Sequence, residues 1–283
     1  MSNSEDKKKH IEIHETAFVT SMFRSSNEAL SEDYFAKLWN NPKTEKWIED
    51  YLEKVSSEEA ATHCLRNRYF LDTLKTLIDT NHVEVLINFG CGFSMYPFLL
   101  DKNLIHIEID KSEIIQYKTE KLDDWQHKNI LPKRRIYSIG VDFSDDYEDK
   151  LREQIEAIKG NRKSFILIEG VLFFLDRAET NRLFDFFDTL QHSGDFIGSG
   201  SFQDSLKDSQ AFKRLLDFFG KKVINMRESD YQTINDIYYE NIKNYKLIDH
   251  QDYFSLSKTY NNPIQLEKDL ILNEHFYVLK KDT

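Results

Sequence analysis

Apolar positions change their period twice along this chain. Over residues 31–80 they recur at helical spacing, with Leu65, Tyr69, Leu74, Leu77 and Ile78 forming one stripe. At 83–89 the pattern becomes Val-Glu-Val-Leu-Ile-Asn-Phe, short, rich in β-branched residues and ended by Gly90, which predicts a strand buried on both faces. Similar runs at 104–109, 135–141, 164–169 and 195–201 predict further strands, and helical patterns lie between them near 113–122, 147–158 and 179–190. Strand and helix alternating at this spacing predict βαβ units, and hence an α/β fold with a parallel sheet covered by helices on both faces. Beyond 205 the pattern is aromatic and helical, at 212–219 and 238–245, before a closing strand at 275–279. With no repeat and no Gly/Ser-rich linker, one decorated domain is expected. It divides into helical cover over 1–80, an α/β core over 81–205, and a C-terminal helical lid with closing strands over 206–283.

Composition narrows the partners. The 283 residues carry 38 basic and 49 acidic side chains, a formal net charge of −11. That balance disfavours a sequence-independent grip on phosphate backbones, and Lys7, Lys8 and Lys9 read as a solvated end, so no nucleic-acid partner is expected. The start, MSNSEDKKKHIEIH, has no apolar core of a signal peptide, and no apolar run approaches the length of a membrane span. A cytoplasmic protein without a membrane partner is the expectation. Two cysteines, Cys64 and Cys91, build neither a disulfide framework nor a structural zinc site, and no metal is expected. All nine glycines fall between Gly90 and Gly220, so tight turns and close ligand approach concentrate in and around the predicted sheet.

Two features there could carry chemistry. Asn88-Phe89-Gly90-Cys91-Gly92-Phe93-Ser94 follows the first predicted strand, and ligands of open α/β sheets bind beyond the carboxyl ends of the strands. The fingerprint G-x-G-x-x-G is incomplete, with Met95 at its third glycine, which suits a nucleoside better than a pyrophosphate. A plain strand-to-helix turn is the competing reading. Twenty residues beyond Gly90, His106-Ile107-Glu108-Ile109-Asp110 places an acid at the tip of the next strand, where a ribose diol needs paired acceptors. Alternation puts Glu108 and Asp110 on the same side. The alternative for Asp110 is to cap the helix that starts near Glu113.

In order and spacing these stretches resemble the leucine carboxyl methyltransferase family of S-adenosylmethionine-dependent enzymes, which includes bacterial O-methyltransferases of polyketide pathways. Asn88-Phe89-Gly90-Cys91-Gly92 is similar to the family's N-L-G-x-G loop, and Glu108-Ile109-Asp110 with Lys118 to its E-x-D followed by lysine. Arg66-Asn67-Arg68-Tyr69-Phe70, Asp142-Phe143 and Glu169-Gly170-Val171-Leu172-Phe173-Phe174-Leu175 resemble three further stretches, the last being E-G-x-L-x-Y-L. The resemblance implies a Rossmann-like class I methyltransferase fold with a mostly parallel seven-stranded sheet. It also implies S-adenosyl-L-methionine as methyl donor, leaving as S-adenosyl-L-homocysteine. Asp110 would accept from the ribose hydroxyls, Asp142 from the adenine amino group, and Phe143 would wall the base or offer it a backbone N–H. Arg66 or its neighbour Arg68 would pair with the methionyl carboxylate, a match for a guanidinium fork. Glu169 would hold the ammonium, while Asn88, Gly90 and Gly92 form the loop against which the donor lies. The bland alternatives are a helix surface for the arginines, a turn for Asp142 and a helix-terminal charge for Glu169. Ser94-Met95-Tyr96 replaces a common Asp-Thr-Arg, Phe174 replaces a common tyrosine, and Ser112 a common proline.

Methyl transfer is an in-line displacement that an enzyme serves mainly by alignment and by excluding water. A carboxylate acceptor, ionised at pH 7, needs no base, whereas a phenol with a pKa of about 10 normally does. His106 is the histidine inside a matched motif, and it begins its strand; His14, His63 and His250 lie in the helical flanks. The expectation is therefore O-methylation of a carboxylate, or of an acidic phenol or enol, on a small molecule or peptide terminus. No catalytic residue and no oligomeric state is assigned. The N-terminal helices and residues 201–260 are expected to form a lid that shapes the acceptor pocket. The competing functions are a nicotinamide-dependent oxidoreductase and a non-catalytic nucleoside-binding module.

Overall fold

The short β-branched runs become strands and the amphipathic stretches between them helices. In the computed structural model, which describes residues 13–143, 146–222 and 231–282, the chain runs α1 (Ile13–Ser26), α2 (Glu28–Ser31), α3 (Pro42–Lys54), α4 (Glu59–Asn81), β1 (Val85–Phe89), α5 (Tyr96–Leu99), β2 (Ile105–Lys111), α6 (Ser112–His127), β3 (Ile136–Val141), α7 (Glu148–Lys159), β4 (Ser164–Ile168), α8 (Arg177–Leu190), β5 (Phe196–Phe202), α9 (Gln210–Lys222), α10 (Asp236–Glu240), β6 (Tyr245–Asp252), α11 (Tyr253–Thr259) and β7 (Glu274–Lys281). Lys7, Lys8 and Lys9, and the lid segment 223–230, lie outside the described residues.

The sheet order is β3-β2-β1-β4-β5-β7-β6. β1 to β5 are parallel, and β7 enters antiparallel between β5 and β6. β1 pairs with β2 on one side and β4 on the other, so the strand order reverses there and opens a crevice beyond the carboxyl ends of both. Strand alternation divides the core between two faces. Ile87, Phe89, Ile107 and Ile166 pack with Leu151, Ile155 and Phe187 of α7 and α8. Leu86, Phe165 and Leu167 pack with Leu65, Phe70 and Leu74 of α4, where the predicted apolar stripe lies. Gly140, whose role the sequence does not disclose, lets α6 close onto β3, because a Cβ there would stand 2.9 Å from the Ser112 Cα.

Two flanking expectations change. The helical pattern of 31–80 is broken twice: Asn41 caps α3 through the Thr44 N–H with Pro42 in the first turn, and α4 starts anew at Glu59. The helix expected over 238–245 stops at Glu240, and Tyr245 opens β6. β6 is an edge strand paired with β7, with a register shift between Leu247 and Asp249, so it lacks the buried alternation that betrays an inner strand. No helix of the described residues is long and apolar enough to cross a membrane.

Candidate functional site

A cavity of about 730 Å³ opens beyond the carboxyl ends of the parallel strands and is roofed by α1, the start of α4, and α9. Its floor is the loop after β1. Gly90 and Cys91 donate their N–H groups to the Ile109 carbonyl at 2.8 and 3.1 Å, tying the loop to β2. Gly90 has φ +73°, and a Cβ there would lie 2.3 Å from Val171 Cγ2, so the backbone turns where no side chain fits. Asn88 Nδ2 donates to Ser94 Oγ at 2.8 Å across the same turn.

Asp110 faces this loop. Its Oδ2 accepts from the Gly92 N–H at 2.8 Å and its Oδ1 from the Lys111 N–H at 2.8 Å. It does not cap α6, whose N-cap residue is Lys111 with no side-chain cap. Burial raises the Asp110 carboxyl while those two N–H groups pull it back. Each oxygen keeps a lone pair for a further donor. Glu108, on the same side of β2, is buried in an ion pair with Lys118 at 2.8 Å and stays outside the cavity wall.

At the opposite end lies a charged cluster. Arg66 Nη1 donates to both oxygens of Glu274, at 3.0 and 2.8 Å, and its Nε stands 3.6 Å from Glu169 Oε1. The Tyr96 hydroxyl donates to Glu169 Oε2 at 3.1 Å. Gly200 makes room for Glu274, since a Cβ there would stand 2.9 Å from Oε1. One and two turns before Arg66, His63 and Glu59 reach the wall from the same face of α4, and the Tyr51 hydroxyl of α3 donates to Glu59 Oε2 at 3.2 Å. Burial raises the carboxyls of Glu169 and Glu274, with Arg66 opposing. Burial and then the Glu274 charge push Glu59 up to about 8. Burial and then the nearby guanidinium of Arg66 push His63 well below its ordinary range, so its ring is neutral.

Arg66, Asn88, Gly90, Gly92, Asp110, Phe143 and Glu169 thus line one cavity. Phe143 packs its ring 5.6 Å from that of Phe89. Arg68 does not join them. Two residues along a helix turn the side chain by about 200°, so it points away and pairs with Asp72 at 2.8 Å and Glu32 at 3.1 Å. Asp142 is exposed at the tip of β3 and is not part of the wall, because the chain turns Phe143 inward instead. Glu59, His63 and Glu274 go unassigned in the sequence reading, which names His63 only as a flank histidine. The polar set Glu59, Thr62, His63 and Arg66, at i, i+3, i+4 and i+7 in a buried helix, carried a signal for the first two; Glu274 comes from a strand 208 residues away from Arg66.

The chain is 30% identical over 135 residues to a Mycobacteroides abscessus protein named "Putative S-adenosyl-L-methionine-dependent methyltransferase", covering 47% of this chain and 43% of that one. A second protein of the same name and organism is 22% identical over 193 residues, covering 66% and 59%. The chain therefore spans about half the length of these relatives. Among solved structures, a DUF574 family protein from Streptomyces avermitilis superposes with TM-score 0.62 at 9% identity, covering 94% of this chain and 97% of that one. Magnesium protoporphyrin IX methyltransferase from Synechocystis superposes with TM-score 0.51 at 8% identity, covering 93% and 99%. Those likenesses speak to fold, which is that of class I methyltransferases. The model of the leucine carboxyl methyltransferase family matches residues 12–188, more than half of the chain, and the chain belongs to that family.

Proposed function

We propose that this protein transfers a methyl group from S-adenosyl-L-methionine to an oxygen of a small molecule or a peptide terminus. The observation that carries the reading is one cavity at the strand switch point with a bare glycine turn and a two-oxygen acceptor at one end and an Arg–Glu cluster at the other. The residues fit the donor. Gly90 presents backbone where a Cβ could not stand, and Asp110 holds both oxygens oriented by backbone N–H groups for a ribose diol. Phe143 offers an apolar wall for the base. Glu169 accepts from an ammonium group, and the Nη2 end of Arg66, under Gly170, remains for a carboxylate. When bound, the donor supplies an electrophilic methyl on a positively charged sulfur. The chain contributes alignment of the acceptor oxygen with that methyl and exclusion of water under α1 and α9.

Calorimetry separates this from nicotinamide binding, which an incomplete glycine fingerprint already disfavours. S-adenosyl-L-homocysteine is expected to bind and NAD not to. Asp110→Ala and Glu169→Ala are each expected to weaken the former by roughly tenfold or more, the worth of one or two charge-assisted hydrogen bonds. Tight NAD binding in its place, or unaltered affinity in both variants, would reverse the reading. Bound donor with no methylation of any oxygen acceptor would favour the nucleoside-binding module.

A further inference from the structure

The cavity wall holds more carboxyl groups than cations to match them. Glu59, Asp110, Glu113, Glu169, Glu179 and Glu274 all contribute, against Arg24, Arg66, Lys111 and Arg182 among the described residues of the wall. Arg66 is held between Glu274 and Glu169, and Arg24 pairs with the buried Asp33 at 2.9 Å. Lys111 is exposed at the rim, and Arg182 is half-exposed and paired with Glu148. A carboxylate acceptor entering this wall meets like charge, with Arg66 engaged by Glu274 and Glu169 and its Nη2 end taken by the donor carboxylate.

Glu59 stands apart within the set. It is 4% exposed, one oxygen accepts from Tyr51, and the other, Oε1, has no hydrogen-bond partner among the described residues. His63 Nδ1, one turn on, is likewise buried without a partner. Around them the wall is aromatic: Phe23, Trp47, Phe173, Phe174 and Phe219. Such a chamber accepts a flat ring, and its unmatched polar atoms call for a group able to donate a proton.

From this juxtaposition we infer that Glu59 takes the proton from an uncharged, hydroxyl-bearing aromatic acceptor. The inference rests on the reading of the cavity as a methyl-donor site. The acceptor O–H bond breaks and its proton passes to the Glu59 carboxylate. The oxygen pair forms the new bond to the methyl carbon, and the pair of the broken carbon–sulfur bond stays on sulfur, which becomes a neutral thioether. One ether, one S-adenosyl-L-homocysteine and one neutral Glu59 result, and Glu59 keeps that proton as the products leave and gives it to water when the next S-adenosyl-L-methionine binds. The groups facing Glu59 are Tyr51 of α3, His63 and Arg66 of α4, and Glu274 of β7. Burial and Glu274 hold the carboxyl up at about 8, so at pH 7 it is neutral in the free protein. A sulfonium entering the cavity reverses that balance and drives the proton off, so the base is formed only once the methyl group is present.

The test compares two ligands that differ by one methyl and one charge. At pH 7, calorimetry in buffers of different ionisation enthalpy is expected to show close to one proton released per S-adenosyl-L-methionine bound and a few tenths at most per S-adenosyl-L-homocysteine. Glu59→Gln abolishes the difference, and Glu59→Asp restores part of it. Equal release for both ligands, or a difference that persists in Glu59→Gln, overturns the role of Glu59. With S-adenosyl-L-homocysteine bound, 2-naphthol is expected to bind at least tenfold more tightly than 2-naphthoate; no preference, or the opposite one, overturns the acceptor class. Failure of both donor ligands to bind would count against the donor site itself, whereas binding without proton release counts against Glu59 alone.

Discussion

Gly90 is the residue at which backbone conformation and close approach coincide. Alanine there meets both a φ of +73° and Val171 Cγ2 at 2.3 Å, so Gly90→Ala is expected to cost roughly 1–3 kcal/mol of stability. The Val171→Ala partner removes the collision but not the strained φ. A double-mutant cycle by urea denaturation should then return a coupling of at least about 0.5 kcal/mol; strict additivity would place the cost elsewhere. This residue was legible in the sequence because glycine ending an apolar run has few other uses. Arg66 and Arg68 were not separable there, since both sit in one helical stretch and the angle between them matters only once the neighbours of α4 are known. Glu274 was invisible for a different reason: nothing local in a closing strand announces that its first residue will reach Arg66.

At the scale of elements, β2 and α6 are joined beneath the site by Glu108 and Lys118, whose side chains are each 2% exposed. Burial alone would neutralise both, and their mutual attraction opposes it. Lys118→Met leaves a buried carboxylate without its cation and is expected to cost roughly 3–5 kcal/mol, with most of that regained in the double variant Glu108→Leu/Lys118→Met. Chemical denaturation of the three variants decides it, and a double variant no more stable than Lys118→Met would refute the account. The same elements explain how far the fold could be read in advance. β1 and β4 lie paired on both sides at the centre of the sheet and are buried throughout, so burial writes a nearly continuous apolar run into each. β6, open along one side, writes Tyr-Lys-Leu-Ile-Asp-His-Gln-Asp, which reads as nothing in particular until β7 lies beside it.

Across the whole molecule, several histidines are held neutral. Burial, reinforced by nearby cations, pushes His106 down to about 3 and His63 well below its ordinary range; burial, with His250 adding to it, lowers His275. The unfolded chain takes up protons at these rings below about pH 6.5 and the folded chain does not, so stability is lost as pH falls, by up to about 1.4 kcal/mol per pH unit per ring. Glu59 acts in the opposite sense: its raised folded value contributes stability that is full below about pH 4.5 and is lost as pH rises towards 8. Urea denaturation at pH 6.5 and 5 should therefore show a loss that shrinks by up to about 2 kcal/mol in His106→Asn. An unchanged acid limb would mean that His106 titrates freely in the folded protein.

The placement of β7 has a consequence in time. Its chain neighbours in the sheet are β5 and β6, and its first residue, Glu274, is the bidentate partner of Arg66. As the chain leaves the ribosome, the glycine turn, Asp110, Glu169 and Arg66 are all made before β7 exists. Until those last residues emerge, β6 has no strand beside it and Arg66 faces a carboxylate that has yet to be synthesised. The cavity wall is thus completed by β7, the last-made element to contribute to it, so the cluster around Arg66 is assembled after every other part of the site.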